Sequence, residues 1–231
     1  MKFGYTINNK LMMNSNGKLL GVEVNDPYNP LGLPPNTMRV RTNDGEPPVN
    51  GNYDSATLVK GTTDVYDVYS PRFDWTNLLK DSTNVVEVLG ANTQSTMYKV
   101  NNMNSLFNGC TSLTSVALFD TSNVLYMDIM FKNCTSLTNV PLFNTSRVSR
   151  MTGMFSGCTS LTTVPLFNTS NVTDMSFMLH NCTKVESGAL ALYQQASSQA
   201  TIPSHSYTFA HCGVDTESGS AELAQIPSDW K

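Results

Sequence analysis

A chain of 231 residues with a net charge of −4 and a pI near 5.3 can bury a substantial core, and it lacks the basic stripe a nucleic-acid binder needs to neutralise phosphates. Charged residues are only 14%, against about 25% in ordinary soluble domains; Ser, Thr and Asn replace them, which suits turns and hydrogen-bonded ladders. The longest apolar runs, such as Ala189-Leu190-Ala191-Leu192, fall far short of the roughly 20 residues that cross a bilayer, and Met1 to Lys10 carry no apolar signal-peptide core.

Residues 1–70 read as short strands and prolines. Lys10 to Met13 and Lys18 to Val24, around Asn14-Ser15-Asn16-Gly17, predict a β-hairpin. A stiff, extended crossing follows from Pro27 to Pro35. Met38 to Thr42, ending in an Asn43-Asp44-Gly45 turn, alternates as a strand does, and Ala56 to Val59 and Asp64 to Tyr69 are further extended candidates. So short and irregular a segment is too small for a confident core of its own. It is expected to be a β-rich attachment arm that orders against a partner or against the rest of the chain.

Residues 71–231 are dominated by an internal period. Cys110, Cys134, Cys158 and Cys182 stand 24 residues apart. The same step carries Val100, Val124, Val148 and Val172; Met103, Met127, Met151 and Met175; and Leu113, Leu137 and Leu161. Each unit reads V-x-x-M-x-x-[ML]-F-x-x-C-x-x-L-x-x-V-x-L-F-x-T-S-x. The first half spaces its apolar residues by three and four, which predicts a short helix with one buried face, and Thr121-Ser122-Asn123 with its copies supplies N-cap oxygens. The second half has the L-x-x-L-x-L spacing of a short strand, expected to turn Val116 and Leu118 inward and Ala117 and Phe119 outward.

The expected fold is therefore α/β, a short leucine-rich-repeat-like solenoid whose coils are stable only when stacked. Its ends are degenerate. Trp75 to Val88 matches the Met103-to-Val116 stretch at an offset of 28, Gly188 to Gln199 reads as a longer helix, Phe209 to Cys212 repeats the F-x-x-C spacing, and Val214 to Ala221 looks inserted.

Asn171-Val172-Thr173-Asp174-Met175-Ser176-Phe177-Met178, with the N-C-T-S-L-T-x-V-P-L-F stretch around Cys134, resembles the BspA-like leucine-rich-repeat family of bacterial surface proteins and related phage proteins. The likeness runs from Phe73 to Trp230. It implies a non-enzymatic binding or adhesion module on an outer surface and brings no catalytic residues with it.

Several residue groups invite chemistry. Four in-register cysteines at a stacking step of about 4.8 Å would span about 14 Å, too far for one tetrahedral zinc, and parallel side chains meet disulfide geometry poorly. Cys110, Cys134, Cys158 and Cys182, with Met127, Met151, Met175, Leu113, Leu137 and Leu161, are expected to be repeat core, with no metal and no cofactor. His205, His211 and Cys212, near Asp215 and Glu217, are the only candidates for nucleophilic chemistry, and nothing marks an orienting group or an oxyanion hole beside them. The column Phe119, Phe143 and Phe167 admits two readings. The rings face outward beside Ala117, Pro141 and Pro165 as an apolar contact strip, or they fold under the following Thr-Ser turn as core.

These expectations combine into a surface-displayed recognition or structural module rather than an enzyme. The expected setting is a phage virion appendage (fibre, tail tip or capsid decoration), with a bacterial cell-surface adhesin as the alternative and a Cys/His hydrolase last. Expected partners are other virion or surface proteins through residues 1–70, a host-surface glycan or protein, and further copies of the chain.

Overall fold

The structure is a computed structural model, and it describes residues 11–13, 19–22, 29, 31–72, 74–94 and 99–231. The expected Asn14–Gly17 turn and most of the Pro27–Pro30 crossing lie outside the described residues.

The architecture is mixed α/β. Strands β1 (Leu11–Met13) and β2 (Leu19–Val22) pair antiparallel as a two-stranded sheet. A five-stranded sheet follows, built from β3 (Thr37–Thr42), β4 (Ser55–Leu58), β5 (Val65–Tyr69), β6 (Val85–Asn92) and β7 (Ser115–Val116), in the order β4-β5-β3-β6-β7. β3 is antiparallel to both β5 and β6, while β6 and β7 are parallel, with Glu87 opposite Ser115 and Val88 opposite Val116. Met38, Val40 and Val68 face inward and are fully buried, and the alternating polar side carries the Arg39–Asp67 pair, with Nε–Oδ1 at 2.6 Å and Nη2–Oδ2 at 2.8 Å. The sheet thus joins strands from both sides of position 70, and one contiguous apolar core runs from Met38 to Trp230.

Beyond β6, successive segments lie edge to edge at steps of 28, 24, 24, 24 and 30 residues. Single parallel bridges link Asp74 to Asn102, Asn102 to Tyr126, Tyr126 to Arg150, Arg150 to Asp174, and Asp174 to Ser204. Each of these five joints is closed by four backbone bonds from alternate residues. In the second joint, for example, the N–H groups of Met103, Ser105, Phe107 and Gly109 donate to the carbonyls of Tyr126, Asp128, Met130 and Lys132 at 2.8–3.0 Å.

That bonding corrects the expected short helix. An α-helix spends its N–H groups on carbonyls four residues back within the same segment, whereas here alternate N–H groups leave the segment altogether. The intervening residues form successive i→i+3 turns, such as Leu106 N–H to Met103 O at 3.2 Å and Cys110 N–H to Phe107 O at 3.0 Å. Their third positions, Ser105 (φ 57°) and Gly109 (φ 77°), are left-handed, as a type II turn demands. The spacing of three and four still places Val, Met, Phe and Cys inward, because the turns repeat at almost the same interval as a helical turn.

All ten residues assigned to the unit core are buried. Rings stack from unit to unit, Phe107 on Phe131 at 5.1 Å and Phe131 on Phe155 at 5.5 Å between centroids. The expected N-caps are also different in kind. Asp120, Asn144 and Asn168 accept from the N–H two residues on, as Asx turns, while the buried Thr121 and Thr145 hydroxyls donate to the carbonyls of Asn144 and Asn168 in the next unit.

The C-terminal part holds α1 (Ala189–Ser197) and α2 (Glu217–Gln225), then a 3-10 turn at Ser228–Trp230. α1 falls where a longer helix was expected. α2 begins within the Val214-to-Ala221 stretch read as an insertion and runs four residues past it, with Thr216 Oγ1 accepting from Gly219 N–H at 3.1 Å as its N-cap. Glu222 of α2 accepts from Gly188 and Leu190 N–H at the start of α1, at 3.4 and 3.0 Å, placing negative charge at a helix N-terminus.

Candidate functional site

On the second half of each unit the rings and the leucines stand opposite to the outward-ring reading. Phe119, Phe143 and Phe167 are core, at most 2% exposed, and Phe143 packs on Phe119 at 5.1 Å and on Phe131 at 6.2 Å. Leu118, Leu142 and Leu166, expected inside, are 36%, 60% and 52% exposed. The cause is local. Phe143 N–H donates to Pro141 O and Phe167 N–H to Pro165 O, both at 2.9 Å. An i→i+2 bond is a γ-turn centred on the intervening leucine. It breaks the alternation of a strand, throws the leucine out and folds the next ring under. Pro141 and Pro165, half-buried beside the leucines, fix φ at the start of each turn. Leu142 and Leu166 thus stand out on stiff proline-led turns, while Leu118, which follows Ala117, is exposed without that bond.

The cue was present in the sequence. Val140 and Phe143 are three apart, as are Val164 and Phe167, and a proline between them cannot donate to a sheet ladder.

The cysteines are free and fully buried, and each of the first four donates its Sγ–H to a carbonyl of the preceding unit at 3.0–3.1 Å. Burial pushes the thiols of Cys110, Cys158 and Cys212 up to about 12 and those of Cys134 and Cys182 well above their ordinary range. Neutral, inaccessible thiols are poor nucleophiles.

Around Cys212 the histidines face other partners. His211 Nδ1 lies 3.0 Å from Asn181 Oδ1. His205 stacks on Trp230 at 4.0 Å, with its Nδ1 at 2.7 Å from Pro203 O and its Nε2 at 3.6 Å from Asp229. His180, 6.1 Å from His211 between ring centroids, is shifted down by burial and by its His211 and Lys132 neighbours. Among the described residues no group of three or more His, Cys, Asp or Glu side chains converges to hold a metal. Among them, too, no helix is long and apolar enough to cross a membrane.

A second exposed group lies on the turn side of the last two units. Phe177 (φ 60°) and Tyr207 (φ 56°) occupy left-handed positions and stack at 5.3 Å between centroids. Sequence reasoning passed over this pair because Phe177 and Tyr207 have different residues at the matching place in earlier units, Ile129 and Gly153.

No curated protein matches this chain, and no solved structure does. Residues 76–193, just over half of the 231, match the family described as Mycoplasma protein of unknown function, DUF285. The chain belongs to that family.

Proposed function

We propose that this chain is a leucine-rich-repeat-like solenoid of the BspA-like kind, working as a non-enzymatic recognition or structural module displayed on an outer surface. The 24-residue units are its coils, the five-stranded sheet closes one end, and α2 with the Trp230 turn closes the other. Capping of this kind is what stacked units require. The observation that carries the functional reading is the row Leu118, Leu142 and Leu166. The core is filled by the phenylalanines, so the leucines contribute little to it. Three large apolar side chains held in water, two of them on rigid turns, make the surface of a contact.

The setting is a virion appendage or decoration, with residues 1–70 contributing contacts to neighbouring virion proteins and the leucine row facing a host-surface protein or glycan. The family's Mycoplasma membership favours a second setting, a bacterial cell-surface adhesin. Quantitative mass spectrometry of purified particles and of washed cell envelopes separates them. Stoichiometric recovery in particles supports the virion setting, recovery in envelopes alone supports the adhesin, and recovery only from the soluble cell interior contradicts surface display.

A further inference from the structure

Strand β4 forms one end of the five-stranded sheet and pairs with β5 alone. Its register sets Ser55 opposite Tyr69 and Thr57 opposite Asp67, and just beyond it Val59 N–H donates to Val65 O at 2.8 Å. In an antiparallel ladder bonded pairs alternate with non-bonded ones. Ser55, Thr57 and Val59 therefore spend their main-chain groups on β5, and those of Ala56 and Leu58 point away from the sheet.

Sheet edges are commonly guarded against pairing by lysine, proline or a bulge. Ser55–Leu58 carries none of these, and its register runs without a break. Ser55, Thr57 and Leu58 are exposed, Leu58 at 47%. The charges stand just outside the strand, Asp54 before it and Lys60 after it, both exposed. Asp54 Oδ1 faces Arg72 at 3.4 Å, which leaves Oδ2 without a partner among the described residues. Among them, too, Lys60 forms no ion pair.

We infer that β4 pairs antiparallel with β4 of a second copy of this chain, joining two sheets edge to edge about a two-fold axis. The open groups of Ala56 and Leu58 must meet one another, so the axis passes at Ala56, Thr57 or Leu58. An axis at Ala56 sets Asp54 against Leu58 of the second copy, and one at Leu58 sets Lys60 against its Ala56. Only the axis at Thr57 sets Asp54 opposite the second copy's Lys60, twice by symmetry. That register also lays Leu58 beside Ala56 on one face and Thr57 beside Thr57 on the other, cross-strand pairs of the kind that hold sheets together. The contact is only four residues long, so the pairing is weak and is favoured where copies are crowded. It uses none of Leu118, Leu142 and Leu166, so this inference and the leucine reading can fail separately.

Single cysteines placed in the full chain read the register. Thr57 meets its own copy at a non-hydrogen-bonded position, where Cα atoms stand about 4.5 Å apart, within reach of a disulfide. The native cysteines are buried and stay out of the reaction. Under dilute diamide, Thr57→Cys is expected to give linked dimer about tenfold faster than Ser55→Cys, whose opposite residue is Val59 and not itself. Adding Lys60→Glu to Thr57→Cys sets carboxylates against each other and is expected to bring the rate down to that of Ser55→Cys. All three positions are exposed, so the variants fold as the parent does. Equal rates for Thr57→Cys and Ser55→Cys overturn the inference, as does a Thr57→Cys rate that Lys60→Glu leaves unchanged.

Discussion

The Cys134 thiol donates to the backbone carbonyl of Phe107 at 3.1 Å, across a joint between neighbouring units. Cys158 does the same to Phe131, and Cys182 to Phe155, at 3.0 Å. Cysteine suits the place because it is small enough for the core and still supplies a weak donor to a buried carbonyl. Cys158→Ala is expected to cost about 1–3 kcal/mol, from a lost bond and a small void, read as a lowered urea midpoint. Native protein is expected to react with thiol reagents only as it unfolds.

The same thiols set an alkaline limit. Burial holds Cys110, Cys158 and Cys212 protonated to about 12, against an ordinary 9.0, so between those values the folded chain binds more protons than the unfolded one. Stability from these groups is therefore complete below about pH 9 and is lost as pH rises toward 12. Urea midpoints measured from pH 7 to 11 are expected to stay level and then fall, and the fall becomes shallower in Cys158→Ala.

Phe143 and Leu142 are neighbours in sequence with opposite environments. Phe143→Ala is expected to cost about 3–5 kcal/mol, as for a ring removed from a packed core, while Leu142→Ser stays within about 0.5 kcal/mol. Denaturant titration of the two variants checks this, and equal costs would show that the γ-turn geometry is wrong.

Gly188 is left-handed at φ 97°, and a Cβ there would sit 2.1 Å from Val164 O. Backbone cannot yield as a flexible side chain can. Gly188→Ala is expected to cost more than about 2 kcal/mol and to loosen α1, measured as a drop in Tm with loss of helical circular dichroism.

The period, the unit core and the strands β3, β4 and β5 were legible because each is written in hydrophobic spacing or in local alternation. Where the reading failed, another bond competed with the pattern. Turns mimic helical spacing when their N–H groups serve a neighbouring unit, as at Met103 to Cys110. An i→i+2 bond across Leu142 reversed the side-chain directions that a strand would give. α2 was missed because Glu217 to Gln225, with Ala221, Leu223 and Ala224 as its apolar residues, carries too little apolar spacing to mark a helix and is recognisable only through the Thr216 cap and its packing on α1. The pairing of β3 with β6 spans more than forty residues, and no local pattern encodes it.

If Leu118, Leu142 and Leu166 form a contact surface, a partner lies within reach of position 142. A photo-crosslinking amino acid at position 142, activated on intact particles or envelopes, tests it against the same group at Thr135, exposed and outside that row. Position 142 is expected to give an adduct with a single foreign surface component, and position 135 none. Position 142 yielding only unlinked protein, or position 135 yielding the same adduct, would contradict it.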